Sequence, residues 1–274
     1  MALDVWTLPP PNIRSVIRPD PGYVLIEADL SGADLQVVAW DAGALKLKER
    51  LRAREDIHSA NARWIYGADC PVRQLHVNGM SFRDCAKRAA HAGDYDTTPR
   101  TLANTISIPQ VRAEAYLRWW CEEENPEIGE WKRRIRQVLW QRKMPVIHNA
   151  FGFRRMYTDR PDRLLGQALA WIAQSTVSLV INHALLRIDA ELCEGSNWGC
   201  QLLGLCHGED SNPLLQVHDS VLLQAPKEVW PDIAPAVLER MAVTVPYPDP
   251  LVIPAELKWS AEHWGAMEKW NGHV

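Results

Sequence analysis

Apolar positions along this chain switch between a period of two and a period near 3.6. Tyr23-Val24-Leu25-Ile26-Glu27-Ala28 is a short apolar run that closes on Asp29, and it predicts a strand. Between residues 33 and 54, Leu35, Val38, Ala39, Ala42 and Leu45 recur at helical spacing and predict a helix. A second helix is expected from near Asp56 to Tyr66, with Gly67 as its stop. Ser81 fits the cap of a helix over 82–91. Residues 109–124 and 127–143 predict two further helices separated by Asn125-Pro126. Residues 145–157 suit a bent strand pair turning at Gly152, and 164–189 a long helix. The apolar stretch 214–225, bounded by Pro213 and Pro226, predicts a β-hairpin with His218-Asp219 at its tip. A helix over 227–243 and a strand over 251–259 complete the pattern. Strands at both ends with a helical block between them predict an α+β domain carrying a helical insertion.

Composition narrows the class. The chain has 274 residues, and 47% are apolar, which excludes a disordered chain. A net charge of -4 excludes a polybasic binder, but not a nucleic-acid enzyme with its charge segregated on one face. One basic run stands out: Lys132, Arg133, Arg134, Arg136, Arg142 and Lys143, followed by Arg154 and Arg155. It reads as a solvated helix face or as a phosphate-facing one. The 6 cysteines form no CxxC pair and fit no zinc template, so reduced thiols in a cytoplasmic protein are expected. Met1 is followed by Asp4 and prolines rather than by a secretory leader. Residues 168–186 lack charge and are long enough to raise the membrane question. The polar Gln174, Ser175, Thr176, Ser178, Asn182 and His183 within them predict a buried core helix and no membrane. The 13 tryptophans include Trp119, Trp120, Trp131 and Trp140 in the helical block, suited to helix packing or to docking a partner.

Some polar residues interrupt this pattern in ways that suit chemistry. Asp29 and Asp219 lie at the ends of two apolar runs, and two carboxylates on rigid strands could hold a pair of divalent metals. Arg83 and Lys87 stand one helical turn apart, a spacing that suits a polyphosphate or a surface ion-pair face. His91 and Tyr95 continue that stripe if the helix extends so far. Asp56-Ile57-His58 opens another helix, where a histidine serves as cap, core residue or ligand.

The order of these pieces resembles the family-A DNA polymerases. Asn12-Ile13-Arg14 with Pro19-Asp20-Pro21-Gly22-Tyr23 resembles the start of that family's palm, and Asp29 to Asp34 its motif A. Asp56 to Gly67 resembles the first fingers helices, and Arg83, Lys87 and Tyr95 fall at motif B spacing. Gly152-Phe153-Arg154-Arg155 and Gln174-Ser175-Thr176 resemble later palm segments, Gln216 to Asp219 resembles motif C, and Glu256-Leu257-Lys258 with Trp264 the closing strand. The resemblance implies a palm over 1–50 and 145–274 and mostly helical fingers over 51–144, with no thumb and no exonuclease domain. It implies template-directed nucleotidyl transfer from dNTPs to a primer 3′-hydroxyl, in a bacterial or phage-infected cytoplasm. Asp29, Asp219 and the Leu30 carbonyl would hold two Mg²⁺ ions, with Mn²⁺ able to substitute. Arg83, Lys87 and His58 would grip the phosphates, Lys87 also acting as proton donor to pyrophosphate. His91, Tyr95 and Asp34 would border the nucleotide, and His218, Gln174, Arg154 and Arg155 would touch primer–template DNA.

The chain also departs from that pattern. Asp34 and Ser220 stand where the family has glutamate, His91 where it has an aromatic residue, and Ala92 and Asp96 where it has glycine. The shorter Asp34 is expected to relax exclusion of ribonucleotides. Without a thumb, the enzyme is expected to be distributive or to need a partner protein for grip. The altered motifs leave open a non-catalytic polymerase-fold subunit that binds nucleic acid or assembles with a replication complex.

Overall fold

The computed structural model describes residues 13–141, 144–159, 164–193, 198–202 and 219–272. In chain order the elements begin with β1 (Tyr23–Leu30), α1 (Ala33–Ala42), α2 (Leu45–Arg52) and α3 (Ile57–Tyr66). Next come β2 (Leu75–Val77), β3 (Met80–Ser81), α4 (Phe82–Asp94), α5 (Pro99–Ile106), α6 (Gln110–Arg118) and α7 (Pro126–Gln141). They are followed by β4 (Val146–His148), β5 (Arg154–Met156), α8 (Leu165–Ile188), β6 (Gln201–Leu202) and β7 (Ser220–Pro226). The last are α9 (Trp230–Met241), β8 (Thr244–Val245), β9 (Leu251–Val252), β10 (Ala255–Ser260) and β11 (Glu268–Lys269). This is the expected α+β class. The described residues form two compact units: one drawn from 1–31, 180–244 and 252–274, the other from 32–179 and 245–251.

The first unit is built on an antiparallel sheet of order β11-β10-β1-β7-β6. Its central strand β1 is buried on both faces, which its nearly continuous apolar run requires. Ile26 lies opposite Trp259 on β10 and Leu223 on β7, so the three share a face. Trp230 of α9 stacks on Trp259 there, with ring centres 4.6 Å apart. On the other face Leu25 packs with Leu222 and Trp264. Glu27, buried on that same face, accepts a 3.0 Å hydrogen bond from the Trp264 indole, with Lys258 Nζ 3.8 Å away. A carboxylate in a central strand is tolerable because both partners offset its lost hydration.

The second unit is mostly helical. Trp120 and Trp131 are fully buried in it and Trp119 stacks on Trp64 with ring centres 4.8 Å apart, while Trp140 is 62% exposed, so packing accounts for three of these four tryptophans. Trp131 Nε1 donates to Asp41 on α1 at 2.6 Å, and Tyr247 adds a 3.3 Å bond to the same carboxylate. The hairpin β4–β5 turns at Gly152 (φ 81°), with Asn149 Oδ1 accepting from the amides of Phe151 and Phe153. Helix α8 is apolar and long enough to cross a membrane by length and composition. Its buried residues Leu165, Ala168, Leu169, Ile172, Ala173, Val177, Val180, Ile181, Ala184 and Ile188 fall on one stripe at helical spacing, as a core helix requires.

Several elements differ from the sequence reading. The single helix expected over 33–54 is two, because Gly43 adopts a left-handed backbone (φ 75°) and its amide closes α1 on Ala39 and Trp40 carbonyls. The helix expected over 109–124 ends at Arg118 and continues as a π turn, Trp119–Glu124. Helix α5 escaped the periodicity reading, although Thr98 caps it and Pro99 starts it, both ordinary start signals. The strand expected over 251–259 is interrupted at Ile253-Pro254, since proline cannot donate to a ladder. Of the hairpin expected over 214–225, residues 220–225 fall in strand β7, which pairs with β1 and β6; residues 214–218 lie outside the described residues.

Gly93 on α4 tests the packing of the helical unit. A Cβ there would meet Trp120 Cδ1 at 2.4 Å. Alanine gains about 1 kcal/mol of helix propensity over glycine, but overpacking a full core costs about 1–3 kcal/mol. Gly93→Ala is therefore expected to lower the melting temperature by a few degrees in a calorimetric or circular-dichroism melt. An unchanged or higher value would show that Trp120 can move aside.

Candidate active site

The carboxylate pair lies in the sheet unit. Pairing of β1 with β7 sets Asp29 opposite Ser220, and the Leu30 amide donates to the Asp219 carbonyl at 2.9 Å. Asp219 thus stands at the head of β7 beside the end of β1. Both aspartates are partly exposed, whereas Ser220 is buried and its hydroxyl meets no hydrogen-bond partner among the described residues. On its other side Asp29 is opposite Glu256, which is exposed and paired to Lys269 at 2.8 Å. Among the described residues no three His, Cys, Asp or Glu side chains gather into a metal cage. Two carboxylates at strand ends still suit Mg²⁺, which takes one or two carboxylates and completes its shell with water and phosphate oxygens.

A second group lies in the helical unit. Asp56 caps α3, accepting from the Ser59 amide at 3.2 Å and the Ser59 hydroxyl at 2.7 Å. Helix α4 begins in a reciprocal capping box: Ser81 Oγ accepts from the Asp84 amide, and Asp84 Oδ2 from the Ser81 amide, both at 3.1 Å. From there Arg83, Lys87 and His91 rise on one face at four-residue spacing, and Tyr95 is the C-cap. Lys87, His91 and Tyr95 line a cleft of 660 Å³ together with Arg88, Thr97 and Thr101. Asp34 lies 3.9 Å from His91 Nδ1. The Tyr95 hydroxyl is buried; burial and the nearby Asp34 push its pKa up.

Charge tunes this group. Burial, then the Arg83, Lys87 and His91 charges, push His58 down to about 4, so it is a neutral donor and acceptor at neutral pH. Its Nδ1 is buried without a partner among the described residues, the kind of orphan atom a ligand satisfies. Burial also lowers His91, more than Asp34 raises it. Burial raises the Asp56 carboxyl, but the Arg83 and Ser59 hydrogen bonds outweigh it and hold it at about 2.

The far end of α4 is clamped through Gly93 and Asp94, which the sequence reading did not single out, by Trp120 and by Lys132 and Arg136 of the basic run. Trp120 Nε1 donates to the wholly buried Asp94 at 2.9 Å, and Lys132 Nζ donates to the Gly93 carbonyl at 2.8 Å. Lys132 and Arg136 also pair with Asp96 at 3.2 and 3.3 Å. Gly166 lets α8 approach, since a Cβ there would sit 2.8 Å from the Tyr95 carbonyl. The available signal was one carboxylate in the run Ala89-Ala90-His91-Ala92-Gly93-Asp94, where every neighbour but His91 is small and apolar.

The remaining expected site residues scatter. Gln174 is exposed on α8, and Arg154 and Arg155 are exposed on β5, Arg155 lying over the Tyr157 ring at 5.1 Å. His218 lies outside the described residues.

The family model for DNA polymerase family A matches residues 7–265. The thermostable DNA polymerase I of Thermus aquaticus is 25% identical over 250 residues, covering 88% of this chain and 27% of that protein. DNA polymerase I of Pseudomonas aeruginosa is 25% identical over 266 residues, covering 92% of this chain and 26% of that protein. The chain therefore spans about a quarter of the length of these relatives. A solved structure, the POL domain of Pol1 from M. smegmatis in complex with DNA primer-template and dNTP, shares the fold. Its TM-score is 0.72 at 19% identity, covering 93% of this chain and 42% of that one.

Asp94 gives this site a pH signature. Burial, only partly offset by Trp120 and Lys132, pushes its carboxyl up to about 7 from an ordinary 3.8. Between those limits the folded state binds more protons than the unfolded one, so this group costs stability as pH rises. His58, lowered to about 4 from 6.5, acts oppositely and costs stability as pH falls. Asp94→Asn removes only the first contribution. Melting curves from about pH 5 to about pH 7.5 are expected to show the variant gaining on the wild type as pH rises. A difference that stays constant would refute the assignment.

Proposed function

The chain belongs to DNA polymerase family A, and from that membership we propose that it is a template-directed DNA polymerase adding dNTPs to a primer 3′-hydroxyl. The observation that carries this reading is the register of β1 and β7, which sets Asp29 beside Asp219 with the Leu30 amide bonded to the Asp219 carbonyl. We assign residues 1–50 and 145–274 to a palm and 51–144 to fingers.

Asp29, Asp219 and the Leu30 carbonyl would hold Mg²⁺, which when bound lowers the pKa of a primer hydroxyl and offsets charge on departing pyrophosphate. Lys87 is exposed, and its ammonium would meet phosphate and supply a proton to the leaving group. Arg83 offers a guanidinium fork to the same anion. His58, kept neutral, would offer a hydrogen bond to the same anion. Asp34, His91 and Tyr95 would border the sugar and base. Asp34 is one methylene shorter than the glutamate usual in the family, which supports relaxed exclusion of a 2′-hydroxyl. Exposed Arg154, Arg155 and Gln174 would touch the primer–template, as would His218, giving salt-dependent binding. Grip on a long duplex would come from beyond these residues, in a longer chain or a partner protein; alone they would act distributively.

One observation favours a second reading, a non-catalytic polymerase-fold subunit that binds nucleic acid. Ser220, buried with its hydroxyl unpaired among the described residues, leaves the carboxylate set one short of the family's.

Primer extension with Mg²⁺ separates the two. The wild type is expected to give a short ladder, and Asp219→Ala to lose roughly 10³-fold in rate. Primer–template binding without extension, in Mg²⁺ or Mn²⁺, would establish the second reading. In the same assay Asp34→Glu is expected to incorporate fewer ribonucleotides than the wild type. Equal, strong rejection by both would end the relaxed-sugar reading.

A further inference from the structure

Arg83 is not loose at the start of α4. Its Nε donates to Asp56 Oδ2 at 2.9 Å and Oδ1 at 3.1 Å, and the two side chains are 38% and 47% exposed. The contact joins the first turns of α3 and α4. The Asp56 carboxylate is itself fixed, because Ser59 donates to it from both amide and hydroxyl. The pairing uses Nε alone. The two terminal nitrogens of Arg83 make no hydrogen bond among the described residues, so the part of the guanidinium that chelates a phosphate is left open.

We propose that Asp56 is a positioning residue for the nucleotide: it holds Arg83 by Nε so that the terminal nitrogens are presented as a preset fork for the phosphates of a nucleoside triphosphate. This rests on the reading of Arg83, Lys87 and His58 as the phosphate grip. An unrestrained arginine would lose rotamer freedom on binding, and the pairing removes that cost in advance. Asp56 also keeps the net positive charge of the cluster modest, so Lys87 and the open fork rather than bulk charge would select the ligand. The alternative, a carboxylate that blocks Arg83 until a nucleotide displaces it, would require the terminal nitrogens to be occupied.

The test uses dATP with Mg²⁺, titrated calorimetrically into the intact chain without primer, so that no turnover is needed. Asp56→Ser keeps a good helix cap but is too short to reach Arg83. Asp56→Asn keeps shape and cap and removes the charge. Asp56→Ser is expected to weaken dATP binding roughly tenfold, and Asp56→Asn by less. Arg83→Ala is expected to lose at least as much as Asp56→Ser, and the double variant no more than Arg83→Ala alone. Binding by Asp56→Ser equal to or tighter than wild type, or losses that simply add in the double variant, would overturn the proposal while leaving the grip intact. Arg83→Ala binding as tightly as wild type would instead overturn the grip reading and this inference with it. A melting temperature for Asp56→Asn close to the wild type's excludes misfolding as the cause of any loss.

Discussion

The antiparallel pairing of β1 with β7 is the constraint on which the candidate chemistry depends. Side chains alternate faces along a strand, so a slip of one residue would send Asp29 to the opposite face and separate it from Ser220 and Asp219. Burial on both faces forbids that slip. Leu25 and Leu222 pack with Trp264 on one side, and Ile26 and Leu223 lie beside the Trp230–Trp259 stack on the other. Glu27 adds a polar register mark, since only the native alignment lets the Trp264 indole reach its buried carboxylate. The carboxylates at the strand ends inherit that rigidity, which a site on a loose loop would lack.

In the helical unit, position is fixed by hydrogen bonds at helix ends rather than by strand register. Helix α4 carries the cationic and aromatic stripe, and each of its ends is tied. The Ser81–Asp84 box and the Arg83–Asp56 pair hold its start; Trp120, Lys132 and Gly166 hold its finish. The stripe between them is therefore presented on a rigid rod. Burying Asp94 to achieve this carries a desolvation cost, visible as a carboxyl that holds its proton toward neutrality. An apolar side chain of similar size would avoid that cost but would leave the Trp120 indole without an acceptor. The two tryptophans buried here act as fixed walls, and Gly93 exists to let one of them approach.

Much of this was legible in the chain itself, because period, caps and motif order are local. The strand ending at Asp29, the Ser81 cap, the hairpin turn at Gly152 and the long apolar helix all follow from spacing and turn chemistry. The order of Asp29, His58, Arg83, Lys87 and Asp219 was enough to suggest a polymerase family. The errors were local too. Gly43 ends α1 inside the stretch read as one helix, and the short helix that Thr98-Pro99 opens was not read at all.

What the sequence could not fix are the partnerships made at long range. Nothing in Asp56-Ile57-His58 says that Asp56 will meet Arg83, 27 positions later, or that Arg83 will offer Nε to it and keep its fork open. Nothing near Asp94 names Trp120, 26 positions away, as its donor. A carboxylate in a sequence is equally a cap, an ion-pair member or a ligand, and its role is chosen by whatever group the packed chain brings within 3 Å of it. Sequence alone determined which residue types lie on which elements, because periodicity and capping act within a few residues. Tertiary structure alone decided which charges are already paired, which polar atoms are left unsatisfied, and hence which side chains remain available to a substrate, because those depend on distance in space.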